Sequence, residues 1–174
     1  VLQWLERHAD AVKSFDKAAA IDPGHRDALW NKACTLLMLG DFQAGLPLYE
    51  ARWRQLPPGA MPVHVTPRWD GSKSLSGKSI LLCYEQGFGD QIQFVRYATL
   101  LAGMNARVVL ETSVPLKPLM RTVRGVSEVV VRGRALPRVD FHIPLLSLPL
   151  ALGTSLDTVP RDSRYLVADP ARLE

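Results

Sequence analysis

Residues 85–90 read Glu-Gln-Gly-Phe-Gly-Asp; they follow an apolar run at 78–84 and lead into a helical pattern that starts at Asp90. A strand turning through Gly-x-Gly into a helix is the frame in which free backbone amides cradle phosphate. Asp90 disfavours that ligand, because its carboxylate already occupies the positive end of the helix and a second anion would be repelled. The third glycine of a dinucleotide pattern is replaced by Ile92, although Glu111 stands close to where a ribose-binding acid would be. What a carboxylate at this point can do is accept a proton from a neutral hydroxyl. It can also simply cap the helix, since Asp90 and Gln93 have capping-box spacing. Both roles stay open on spacing alone.

The neighbours divide in the same way. Glu85 and Gln86 can hold substrate hydroxyls at the mouth of the loop or merely be solvated, and Gly87, Gly89 and Gln93 complete the candidate substrate-binding set. Arg96 can reach a phosphate, pair with Glu, or lie on an ordinary helix surface. His142, read as the end of the strand Asp-Phe-His-Ile-Pro, falls at the same sheet edge as Asp90 if the strands are parallel; a core or capping histidine is the competing role. No metal ligand set is suggested. Cys34 and Cys83 lie inside apolar runs without CxxC or Cys/His spacing, which reads as two reduced, buried thiols.

The elements that must position these residues change character along the chain. From 77 onward apolar strands alternate with helices: strands at 78–84, 106–111, 127–131 and 139–144, helices at 90–103, 115–124 and 145–152, and a possible fifth strand at 164–168. Apolar strands with intervening helices predict a parallel sheet, a small Rossmann-like one. Before it, residues 58–76 have the Pro, Gly and Ser content of a linker.

Residues 1–57 carry a repeat. Pro23 and Pro57 are 34 residues apart, and the same shift lays Phe15 on Tyr49 and Ala11 on Gly45. Helices are predicted at 27–39 and 42–53 around the turn Gly40-Asp41. This resembles the tetratricopeptide repeat, one partial and one complete, with departures at Gly45, Pro47 and Arg52. Val1 is expected to enter partway through a helix. Asn31 stands at the sixth position of its repeat, where an amide that can donate and accept at once suits main-chain recognition, and is the candidate peptide-binding residue; a plain helix-surface Asn is the alternative. Trp53 and Trp69 are expected to be packing anchors, as is Trp30.

Composition narrows the partners. The chain has 174 residues, 47% of them hydrophobic, and a formal charge of +4. Its basic residues are scattered, the longest alternation being Arg132-Gly-Arg134, so a nucleic-acid surface is not expected. The longest apolar runs are broken before membrane-spanning length, and no leader pattern opens the chain, which points to a cytoplasmic protein.

The blocks YEARW, PRWDG, SLSGKSILL, EQGFGDQIQFVRYATLLA, ARVVLE and DFHIPLLSLPLALGT resemble bacterial proteins that couple tetratricopeptide repeats to a GT-B-type glycosyltransferase domain. They are similar to heptosyltransferases and, more distantly, to O-linked N-acetylglucosamine transferases. The resemblance implies that Asp90 is the acceptor-side base, that the repeats bind a protein or peptide, and that a sugar or protein is the acceptor. It also implies a nucleotide-sugar donor held mainly by a second Rossmann-like domain beyond Glu174. This polypeptide, the N-terminal half of a GT-B fold, is therefore expected to need no cofactor of its own and to be inactive alone. A non-catalytic tetratricopeptide scaffold or protein-interaction module is the alternative.

Overall fold

The computed structural model describes residues 1–55, 64–162 and 164–168. It contains two compact units, Val1–Val63 with Gly153–Val159, and His64–Leu152 with Pro160–Glu174. Residues 58–63 of the expected linker lie outside the described part; residues 64–76 belong to the second unit.

The first unit is helical: α1 (His8–Ile21), α2 (Arg26–Met38) and α3 (Phe42–Tyr49), with a 3-10 helix at Glu50–Gln55. Helix α2 packs on both α1 and α3. Each turn carries its own start signal. The His25 ring accepts a hydrogen bond from the Ala28 amide at 3.3 Å, and the Asp41 carboxylate accepts one from the Ala44 amide at 3.0 Å; both satisfy amides that a helix start leaves bare. The predicted helix 42–53 is tightened from Glu50 onward. Pro47 lies inside α3, and without an N–H it cannot bond the carbonyl one turn back.

Gly45 is needed where α3 crosses α2. A Cβ there would stand 2.8 Å from Leu37 Cδ2 and 3.2 Å from the Leu37 backbone nitrogen, so the two helices meet almost backbone to backbone. Beyond that crossing Trp30 stacks on Tyr49 with centroids 4.9 Å apart. The Arg52 guanidinium sits 4.8 Å from the centroids of both Tyr49 and Trp53 and bonds Glu50 at 2.6 Å. Arg52 is buried, and its pairing with Glu50, together with the faces of two rings, makes a guanidinium tolerable there.

The second unit is a four-stranded, all-parallel sheet of β1 (Ser79–Cys83), β2 (Arg107–Thr112), β3 (Val126–Val131) and β4 (Phe141–Pro144), in the order β3-β2-β1-β4. β1 from Ile80 onward and the middle of β2 are continuously apolar and buried, as strands covered on both faces must be, whereas the edge strand β3 is mostly half-buried. The register puts Ile80, Leu82, Val108, Leu110 and Ile143 on one face, and Leu81, Val109 and His142 on the other. On that second face Leu81, Cys83, Val109 and Val130 form a cluster with Val139 against it. The β2–β3 pairing slips by one residue between Val108 and Val109, a bulge that leaves Ser127 unpaired.

Between β1 and β2 the chain is helical as α4 (Phe88–Phe94), a 3-10 turn and α5 (Ala98–Gly103); α6 (Lys117–Met120) precedes β3, and α7 (Leu148–Ala151) follows β4 after another 3-10 turn. Three predictions are corrected. The helical stretch starts at Phe88 rather than Asp90, helix 115–124 shrinks to four residues bracketed by Pro115 and Gly125, and residues 164–168 form no strand.

Residues 64–76 are not a free tether. The Trp69 amide donates to the His142 carbonyl at 2.8 Å, the His142 amide donates to the Pro67 carbonyl at 3.1 Å, and the pair Arg68–His142 forms a parallel bridge along the outer edge of β4. Trp69 is buried, and its indole N–H donates to the Lys73 carbonyl at 2.8 Å. It anchors this stretch to its own unit. Gly71 follows with φ +91°, and a Cβ there would fall 2.0 Å from the Ala151 carbonyl oxygen, so only glycine permits the turn to close.

Candidate functional site

In an order β3-β2-β1-β4 the chain reverses its direction of growth between β1 and β4, and the carboxyl ends of those strands flank the crevice where open α/β sheets bind ligands. Residues 84–90 leave β1 at that end. Their path is set by two carboxylates that behave oppositely.

Glu85, expected at the mouth, is turned inward and buried, where its Oε2 accepts a hydrogen bond from the Leu146 amide at 3.3 Å. It ties the loop after β1 to the first turn after β4. Gln86 then takes a left-handed backbone, φ +57°, and is exposed; a non-glycine residue in that region costs of the order of 1 kcal/mol and marks a turn held by its surroundings. Gly87 and Gly89 are exposed as well.

Asp90 occupies the third position of α4, with Gly87 at the cap. Its Oδ2 accepts the Gly87 amide at 3.0 Å. Gly87 has no side chain to return the favour, so this is half of a capping box, closed between 87 and 90 rather than between Asp90 and Gln93. Gln93 lies one turn along, exposed, with its carbonyl accepting from Arg96 Nε at 2.8 Å. Asp90 itself is half-buried, and among the described residues no hydrogen bond reaches its Oδ1. One oxygen holds the turn and the other is uncommitted among the described residues.

The remaining predicted residues sit elsewhere. His142 pairs with Leu81 in the register, so it lies below the end of β1 and not at its edge. Its side chain shares the face of Leu81, whereas α4 covers the opposite face, where Gln91 meets Thr112. The pleat therefore separates His142 from Asp90. Its Nδ1 lies 2.8 Å from the Thr66 carbonyl, which fixes the proton on that nitrogen. Burial first, then the neighbouring His64, hold the His142 imidazole below its usual pKa, against the Thr66 bond. Arg96 is engaged by the last described stretch: its guanidinium lies 4.8 Å from the Tyr165 ring centroid and donates to the Tyr165 hydroxyl at 3.2 Å. Asn31, in the helical unit, is half-buried on α2, and its carbonyl accepts the Thr35 hydroxyl at 2.7 Å, a turn over which Gln3 also bonds Thr35.

Three partnerships at or near the sheet's carboxyl edge were not read from the sequence. Glu111 accepts the Tyr84 amide at 3.0 Å, and Arg132 lies over the Tyr84 ring at 4.8 Å. Gln91, buried to 1% exposure, accepts the Thr112 hydroxyl at 2.6 Å. Its periodicity was a usable signal, because Gln91, Val95 and Ala98 recur on one helical face and all three are buried. Cys83 meets His64 at 3.2 Å, Sγ to Nε2. That contact joins residues from β1 and from the stretch read as linker, and no local spacing announces it. Burial, with Glu111 next, pushes the Cys83 thiol well above its ordinary pKa, so it is a donor and not a thiolate nucleophile.

No protein-family model, no curated protein and no solved structure matches the chain. Among the described residues no helix is long and apolar enough to cross a membrane, and no group of three or more His, Cys, Asp and Glu is placed to hold a metal ion.

Proposed function

We propose that the chain is the acceptor-side part of a tetratricopeptide-containing glycosyltransferase of the GT-B type, with a Rossmann-like sheet and Asp90 as the base that takes the acceptor hydroxyl's proton. The observation that carries this reading is the division of labour in Asp90: Oδ2 fixes the turn after β1, while Oδ1 is uncommitted at the carboxyl end of the sheet. A base held by one oxygen and free at the other is preoriented for proton transfer. Glu85 supports the loop from beneath through Leu146, and Gln86, Gly87, Gly89 and Gln93 form its exposed rim. The nucleotide-sugar donor belongs to a second domain in this reading, and the helical repeats select a peptide or protein acceptor, with Asn31 facing it.

The competing reading, a scaffold without turnover, draws on the same bond, since Asp90 also serves its own helix. The substitution Asp90→Asn separates them because the amide oxygen still accepts from Gly87 while the base is lost. In a protein that carries this chain together with the donor domain, sugar transfer should fall by at least about a hundredfold, the usual worth of a general base, with the melting temperature almost unchanged. Unaltered transfer would remove Asp90 from the chemistry.

A further inference from the structure

Next to Asp90 on α4 lies a buried polar pair that makes no contact a substrate could use. Gln91 is excluded from solvent, and its Oε1 accepts the hydroxyl of Thr112, itself fully buried at the end of β2, at 2.6 Å. Their surroundings are otherwise apolar: Val108 and Leu110 precede Thr112 on the same face of β2, and Val95 and Ala98 follow Gln91 on the same helical face. Thr112 is a firm anchor, because its carbonyl accepts the Arg132 amide at 2.8 Å from the end of β3. As core filling the pair is a poor choice. Among the described residues Gln91 Nε2 has no hydrogen-bond partner, and a buried donor left unmatched is penalised, whereas apolar side chains of the same shape at both positions would be neutral or better. A local rule broken without gain to the fold marks a working site.

What a polar pair supplies and an apolar one cannot is direction. Apolar contact is indifferent to rotation, while a hydrogen bond weakens steeply once it is bent. Across the contact of α4 with β2, that direction sets how far the helix is rolled about its axis, and Asp90, the residue before Gln91, turns with it. We infer that the Gln91–Thr112 bond positions Asp90: it fixes the roll of α4 against the sheet and so the place of Oδ1 at the carboxyl end of β1. This role rests on Asp90 acting as the base. The other bonds nearby cannot fill it. The Asp90–Gly87 bond lies within the helix start and moves with it, and the Glu85–Leu146 bond holds the loop ahead of the cap rather than the helix. Nor can α4 stiffen itself, since seven residues behind a glycine cap form a helix too short to be stable alone.

The test uses two variants of the 174-residue chain. Gln91→Met with Thr112→Val replaces the bonded pair by apolar side chains of nearly the same shape, and Thr112→Ser keeps the hydroxyl donor. The double variant should melt no lower than the unaltered chain. Yet the residual dipolar couplings of its Gln91, Ile92, Gln93 and Phe94 amides should cease to fit the orientation that those amides otherwise share with β1 and β2. Thr112→Ser should keep the fit. Helix couplings that still fit in the double variant, a misfit accompanied by a lower melting temperature, or a misfit in Thr112→Ser would each overturn the positioning role. In a protein that carries this chain together with the donor domain, assayed with one donor and one acceptor throughout, kcat should fall roughly tenfold to a hundredfold in the double variant while the acceptor KM holds. Full kcat in the double variant beside an inactive Asp90→Asn would overturn the positioning role and leave Asp90 the base; full transfer by Asp90→Asn would overturn both.

Discussion

The sheet unit and the helical unit are held together by different means. In the sheet unit Ile80, Leu82, Val95, Leu101, Val108, Met120 and Ile143 are all excluded from solvent. Among the described residues of the helical unit the buried apolar ones are mostly alanines, Ala11, Ala28, Ala33 and Ala51, joined by Leu36 and Leu46, while Trp4, Ile21 and Met38 are largely exposed. Apolar burial stabilises in proportion to area, so the sheet unit owes its cohesion to side-chain volume. Small residues contribute little area; they let backbones approach, as Gly45 does against Leu37. The helical unit is thus organised by close approach and by the stack of Trp30, Tyr49, Arg52 and Trp53.

The largest effect that separates the two should come from paired truncations. Leu82→Ala removes a side chain with neighbours on every side and is expected to cost about 3–5 kcal/mol, whereas Leu36→Ala, at the rim of a thinner core, should cost about 2–3 kcal/mol. Urea unfolding of both variants measures the difference. Equal losses would mean that the helical unit has a core as dense as the sheet's, and the contrast would fail.

The contrast also explains what could be read in advance. The strands declare themselves locally, through short apolar runs between turn residues, and their predicted positions differ from β1 to β4 by only a residue or two at most ends. The helix starts are less legible. Asp90 looked like a cap because its side chain is of the capping type, yet Gly87 holds that position, and a glycine cap has no side-chain signature. For the site, sequence placed Asp90 at the carboxyl end of the first strand but could not turn Glu85 inward, since its partner Leu146 is distant in the chain. His142 went astray for a reason of pleat: which face a strand residue takes depends on register, and a shift of one residue reverses it. Residues 64–70 were concealed by composition, because Pro and Gly mark turns without saying whether a turn is free or fastened to a strand edge.

A medium effect tests close approach in the helical unit. Gly45→Ala adds one methyl group at 2.8 Å from a flexible leucine tip but 3.2 Å from backbone, and the helices must part slightly. Alanine also favours a helix by about 1 kcal/mol over glycine, and overpacking typically costs about 1–3 kcal/mol. The expected sum is a small net loss of stability. A clear gain in melting temperature would show that α2 and α3 have room to separate, and that volume rather than backbone contact decides their spacing.

The smallest effect compares two carboxylates that satisfy amides at a helix start, Asp41 from the cap and Asp90 from the third position. Asp41 bonds the amide of Ala44 and Asp90 bonds that of Gly87, both at 3.0 Å. Asp41 caps the start of α3, so Asp41→Ala should cost about 1 kcal/mol, and Asp41→Asn should restore most of it. If Asp90 were only a cap, Asp90→Ala would cost the same. A carboxylate kept for proton transfer is paid for in stability by its loop, with Gln86 in a left-handed turn beside it, so its removal should be cheaper than that of Asp41. Chemical denaturation of the two alanine variants decides it: matching losses would assign Asp90 to its helix alone, and a smaller loss at Asp90 is what a working base predicts.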